Sequence, residues 1–145
     1  MTKAILTEDN IILNQSLGGK EEAIRFTGDI LVKNGYVEKL YVDKMLEREE
    51  VTSTYIGNHV AIPHGTEDAK SKVKETGLSI VTVPEGIDFG NGNVAKILVG
   101  IAGKGNEHLE ILSKIALVVS EEANIQKILE AKSKDEILNM FNEVN

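Results

Sequence analysis

Apolar residues recur along this chain with two different periods, and the switches between them divide it into elements. Over residues 20–34, Ala23, Thr27, Ile30 and Leu31 share one face at helical spacing. That spacing predicts an amphipathic helix ended by Gly35. Val37, Tyr41, Val42, Met45 and Leu46 keep the same spacing to about residue 48. The period then shortens. Residues 59–62 and 77–83 read as extended, and "GLSIVTV" in the second run alternates and is β-branched. "PEGIDFGNGN" is a turn-rich excursion with a short strand at Ile87–Phe89. "KILVGIA", residues 96–102, is apolar throughout, the pattern of a strand buried on both faces. Near the start, "ILTEDNIILN" predicts one or two short extended pieces.

Helical spacing returns after residue 105. Asn106 is placed to cap a helix beginning near Glu107, with Leu109, Leu112, Ala116 and Val119 as its buried stripe. A further helix is expected after Ser120, with Glu121 and Glu122 in its first turn. The last opens at Ser133-Lys134-Asp135-Glu136, a capping-box pattern. Strands interleaved with helices imply an α/β sandwich around a central sheet. No repeat, low-complexity tract or linker interrupts the pattern, so residues 1–145 read as a single domain.

Composition narrows the function classes. The chain has 145 residues and no cysteine, which excludes disulfides, iron–sulfur clusters and thiolate metal sites. Net charge is −7 with only 16 basic residues, against a nucleic-acid face. The longest apolar runs, Ile97–Ala102 and Ile115–Val119, fall far short of the ~20 residues of a membrane span. "MTKAILTEDN" has no signal-peptide core, and a cytoplasmic protein is expected.

Chemistry concentrates in "GNHVAIPHGTED", residues 57–68, where a small apolar run ends in Pro63, His64 and Gly65. Proline fixes φ and glycine admits a close neighbour, so the pair presents the imidazole rigidly and accessibly. His108 falls in the first turn of the helix after strand 96–102. If strands 59–62 and 96–102 are parallel neighbours, His64 and His108 meet at one mouth, beside a helix start that favours anions. His59 alternates with Ala61 and reads as a surface residue. A neutral imidazole is a ready nucleophile toward a phosphoryl group, whose oxygens need positive charge around them. Arg48 is the local candidate for that charge, although it also reads as a solvated surface arginine. Two other readings stay open: a metal site of His64 and His108 with Glu67, Asp68 or Glu107, and a pair of unconnected loop histidines. "GIAGKGN" is not a Walker A loop, because position 98 is Leu and Gly105 stands in place of Ser/Thr.

The run from Glu49 to Gly65, "EEVTSTYIGNHVAIPHG", closely resembles the active-site signature of enzyme IIA domains of the bacterial sugar phosphotransferase system, mannitol/fructose class. Glu49, Ile56, Gly57, Val60, Ala61, Ile62, Pro63, His64 and Gly65 fill its specified positions. The resemblance extends from about Ile5 to Phe141. It implies a three-layer α/β sandwich with a mixed, mostly parallel sheet. It also implies that His64 accepts a phosphoryl group from phospho-HPr and passes it to a cysteine of a IIB domain. His108, in "GNEHLEIL", and Arg48 match the family's phosphoryl-stabilising residues. The expected nucleophile is Nε2 of His64, with Nδ1–H held by a backbone carbonyl, since Glu67 and Asp68 lie beyond a glycine turn. "STYIGNHVAIPHGT" and "VPEGIDFGNG" look like mannitol-type members, with fructose-type and nitrogen-related regulatory members as the alternatives. The expected partners are HPr and a mannitol IIB or IICB, with the membrane reached only through IIC and with no cofactor or metal. Met1 and the lack of IIB or IIC sequence fit a free-standing IIA and equally a domain taken from a larger protein.

Overall fold

The computed structural model describes residues 4–142; residues 1–3 and 143–145 of the expected domain lie outside the described residues. Five strands form one sheet: β1 (Ile11–Ile12), β2 (Tyr55–Gly57), β3 (Val60–Ala61), β4 (Gly77–Asp88) and β5 (Val94–Ala102), in the spatial order β1-β4-β5-β3-β2. Helices α1 (Lys20–Lys33) and α2 (Leu40–Val51) precede β2, and α3 (Glu107–Val119), α4 (Glu122–Glu130) and α5 (Lys134–Met140) follow β5.

Successive side chains of a strand point to opposite faces, and this alternation builds the layers. On β5, Ile97, Val99 and Ile101 join Ile111, Ile115, Ile125, Ile128 and Ile137 from α3, α4 and α5. Leu98 and Ala102 point the other way, into a cluster with Ala23, Ile24 and Leu31 of α1 and Tyr41 and Met45 of α2. The result is helix–sheet–helix, three layers with a core on each side of β5. Gly100 permits the close approach of α1, because a Cβ there would stand 2.4 Å from Ser79 Oγ and 3.1 Å from Thr27 Cβ. Ser79 Oγ in turn donates to the Thr27 carbonyl at 2.9 Å.

The sheet is mixed, with two parallel pairings (β1 with β4, β3 with β5) and two antiparallel ones (β4 with β5, β2 with β3). It is therefore less parallel than "mostly". The reason is the short "FGNGN" connection, with Gly90, Asn91 and Gly92 at positive φ. A loop of that length joins antiparallel strands, whereas a parallel pair needs a crossover. Strand β4 runs through to Asp88, so Ile87 continues it, across a register irregularity between Thr82 and Ile87.

Helix α3 differs from its expected orientation. Its buried residues are Ile111, Ile115 and Val119, while Leu109 is 61% exposed. Asn106 makes no side-chain cap; its Oδ1 accepts from Lys70 Nζ at 3.4 Å instead. The Ser133–Glu136 capping box forms as read, with Glu136 accepting from the Ser133 N–H at 3.0 Å.

Candidate functional site

Strand β3 runs parallel to β5 with Val60 opposite Ile97 and Ala61 opposite Leu98. The chain then leaves the sheet at Pro63, whose carbonyl accepts from the Ile101 N–H at 2.8 Å. His64 pairs with Ile101 in one further parallel bridge. Helix α3 begins five residues after β5 ends, so His108 arrives at the same carboxyl edge. His64, His108 and Arg48 line one open cavity of about 370 Å³. The parallel neighbours that this meeting required are present, and the unconnected-loop reading of the two histidines falls.

The half-buried His64 ring has its Nδ1 2.7 Å from the Ile62 carbonyl oxygen. A carbonyl only accepts, so Nδ1 carries the proton and Nε2 keeps its lone pair. Burial holds the His64 pKa below its ordinary 6.5, and nearby Arg48 and His108 push it the same way, against the pull of the Ile62 carbonyl. The ring is thus neutral at neutral pH, with the Nε2 lone pair free to act as a base or a nucleophile.

Arg48, His108, Lys70 and Glu67 line the cavity with it. Arg48 sits in the last turn of α2, half-buried, and one of its Nη1 protons goes to the Thr52 carbonyl at 2.7 Å. That bond anchors the guanidinium at the helix end and leaves its other N–H groups for a ligand. His108 Nε2 stands 4.0 Å from Glu67 Oε1, at the N-terminal, electropositive end of α3. Lys70, which lies in the 3-10 segment Glu67–Lys72, also lines the cavity, paired to Glu67 at 3.4 Å. No sequence spacing pointed to Lys70, because only the folding of that segment over the cavity brings it there. Val51 and Leu109, both exposed, add apolar surface to the cavity lining.

Beneath the site, Glu49 is buried. Its carboxylate accepts from the Thr54 N–H at 3.0 Å and Oγ1 at 2.5 Å, and it pairs with Lys20 at 3.3 Å. Thr54 then accepts the Ile62 N–H at 3.0 Å, and Ile62 holds the His64 ring. The signature acid therefore braces the strand that supports the imidazole.

Of the carboxylates in the metal reading, Glu67 lines the cavity beside His108 and Lys70, and the other two are committed elsewhere. Asp68 accepts from Thr66 Oγ1 and Lys44, and Glu107 accepts from Thr76 Oγ1 at 3.0 Å. Among the described residues, no group of three or more His, Cys, Asp or Glu is arranged to hold a metal ion. His59 is exposed, its Nδ1 3.1 Å from the Val94 carbonyl. Among the described residues no helix is long and apolar enough to cross a membrane.

Comparison with known proteins places this geometry. Residues 4–144 match the family model described as "Phosphoenolpyruvate-dependent sugar phosphotransferase system, EIIA 2". The chain is 59% identical to the mannitol-specific phosphotransferase enzyme IIA component of Geobacillus stearothermophilus, covering 100% of both chains. It is 55% identical to the protein of the same description from Bacillus subtilis, covering 97% of this chain and 99% of that one. Among solved structures it resembles the complex of enzyme IIA mannitol and phosphorylated enzyme IIB mannitol from Escherichia coli. There the TM-score is 0.90 at 40% identity, over 95% of this chain and 97% of the other.

Proposed function

The chain belongs to the EIIA 2 family of the phosphoenolpyruvate-dependent sugar phosphotransferase system, and from that premise we propose that it is a mannitol-specific IIA that carries a phosphoryl group on His64. The Nδ1–Ile62 hydrogen bond carries the reading, because it leaves Nε2 as a neutral, oriented nucleophile in an open cavity that Arg48 and His108 also line. Identity of 59% and 55% to full-length mannitol-specific IIA components supports the sugar class.

In the first step the Nε2 lone pair attacks phosphorus on phospho-HPr. The new N–P bond forms as the donor's bond to phosphorus breaks, and the donor keeps that electron pair. Arg48 and His108 stabilise the equatorial oxygens in flight, as charge near a phosphoryl group must be met by fixed donors. In the second step a IIB cysteine thiolate attacks the same phosphorus, and the N–P electron pair returns to Nε2. The ring needs no proton of its own in either step, since Nδ1–H stays on Ile62. The cytoplasmic side of a mannitol IICB is where such a carrier would work.

Incubation with enzyme I, HPr and labelled phosphoenolpyruvate is expected to label the wild type once and His64→Ala not at all. Full labelling of His64→Ala would refute the assignment. Adding a mannitol IICB should then give mannitol phosphate. Labelling by HPr without transfer to IICB would instead identify a regulatory relative.

A further inference from the structure

The His64–Ile101 bridge is unusual in how its two rungs are made. In a parallel ladder, Ile101 donates to the carbonyl before His64 and accepts from the N–H after it. The first rung is direct, Ile101 N–H to Pro63 O at 2.8 Å. The second runs through a side chain: the Gly65 N–H donates to Tyr41 Oη at 2.9 Å, and Tyr41 Oη donates to the Ile101 carbonyl at 2.9 Å. The phenol thus ties the backbone just past His64 to β5, with α2 supplying the link.

The fit around the inserted ring is close. A Cβ on Gly65 would stand 2.6 Å from Tyr41 Cε1 and 2.8 Å from Cζ, so only glycine lets the ring pass. Gly65 has no positive φ, and its requirement is therefore the phenol and not the backbone conformation. Tyr41 itself is 4% exposed, fixed in the first turns of α2, and cannot touch a docked protein partner through its hydroxyl.

We infer that Tyr41 is a positioning residue for phosphoryl transfer: its hydroxyl sets the distance between β5 and the backbone of His64, and thereby where the imidazole stands in the cavity. The inference rests on His64 being the phosphoryl acceptor. Burial pushes the phenol up to about 12, so the hydroxyl keeps the proton it donates to Ile101 throughout the working pH range. A ring misplaced by about 1 Å costs up to ~10²-fold in rate. Tyr36 supplies the control, since it is equally buried but its hydroxyl donates to the Ala4 carbonyl at 2.7 Å, outside the cavity lining.

The experiment compares Tyr41→Phe and Tyr36→Phe, both of which keep a ring in the core. Rapid-quench transfer from phospho-HPr is measured at saturation, beside ¹⁵N shifts of the unphosphorylated His64 ring and the Gly65 amide. Tyr41→Phe is expected to lower the saturating rate roughly ten- to hundredfold with the half-saturating HPr concentration unchanged, and to move both sets of shifts. Tyr36→Phe should lower the melting temperature and leave rate and shifts alone. A wild-type rate in Tyr41→Phe, or an equal loss in Tyr36→Phe, overturns the inference. If Tyr41→Phe does not fold, Gly65→Ala forces the phenol aside by its added methyl and should show the same loss; a wild-type rate there also overturns it. Failure of the wild type to accept label would sink the acceptor assignment instead, and the shifts, read without phosphate, would still show whether the hydroxyl positions the ring.

Discussion

On the proposed mechanism the His64 imidazole works through what its neighbours do to it, and each neighbour can be removed singly. In that mechanism Arg48, tethered by Thr52, and His108, in the first turn of α3, are the donors that meet the phosphoryl oxygens. Losing one such donor from a transition state costs roughly 2.7–4 kcal/mol, about 10²–10³ in rate. The lower end is expected here, because the cavity is open to water until a partner covers it. His108→Ala should therefore slow transfer about 10²-fold, and His108→Gln, which keeps a donor, should slow it less. Arg48→Lys should stay impaired, because an ammonium cannot span two phosphoryl oxygens as a planar fork does. Quench-flow rates from phospho-HPr and toward IIB check this in both directions. Wild-type rates in both alanine variants would reduce the site to His64 and its backbone. Pro-His-Gly is a local pattern and drew His64 out of the sequence, His108 followed from its place in the first turn after strand 96–102, and Arg48 rested mainly on the family resemblance. Lys70 and the phenol of Tyr41 were not legible in sequence, since their relation to His64 crosses 6 and 23 positions of chain with no periodicity to mark it.

Helix α3 shows how an element can be recognised and still be misaligned. Leu109, Leu112, Ala116 and Val119 make as good a helical stripe as Ile111, Ile115 and Val119, because eight of the eleven positions from 109 to 119 are apolar. The sheet decides between them. The faces of Ile97, Val99 and Ile101 receive Ile111 and Ile115, and Leu109 is turned out to the cavity rim. Truncation separates the two stripes. Ile111→Ala should cost about 2–5 kcal/mol in urea unfolding, as a core truncation that leaves a cavity. Leu109→Ala should change stability by no more than about 0.5 kcal/mol. The reverse order would return the helix to its sequence-predicted face. The short strands β1, β2 and β3 pose a different difficulty. Two or three residues carry no readable alternation, and β2 exists only because Tyr55 and Gly57 find Ala61 and Val60 as partners.

At the scale of the whole molecule, Glu49 joins α1, α2 and the entry to β2, and it links the fold's stability to pH. Burial pushes its carboxyl up, but hydrogen bonds from the Thr54 hydroxyl, Ser53, the Thr54 N–H and Lys20 outweigh burial and hold it below the ordinary 4.5. A lowered folded pKa means that the unfolded chain takes up the proton first as pH falls. The carboxylate therefore stabilises the fold fully above 4.5 and loses that contribution as pH drops through the folded value. Glu49→Gln should be less stable than wild type by about 1–3 kcal/mol at pH 7, and the gap should narrow below pH 4.5 in thermal melts. A gap that stays constant from pH 7 to pH 3 would show that the carboxylate charge contributes nothing. By itself the sequence determined the helices, the two long strands, the layered α/β class and the Pro-His-Gly turn that presents His64. Periodicity, capping residues and a rigid Pro-His-Gly turn are all written within a few neighbouring positions. Tertiary structure alone decided the mixed direction of the sheet, the face that α3 buries and the phenol inserted beside His64. Each of these depends on which distant surfaces pack together, and packing is settled by shape and burial summed over the whole chain.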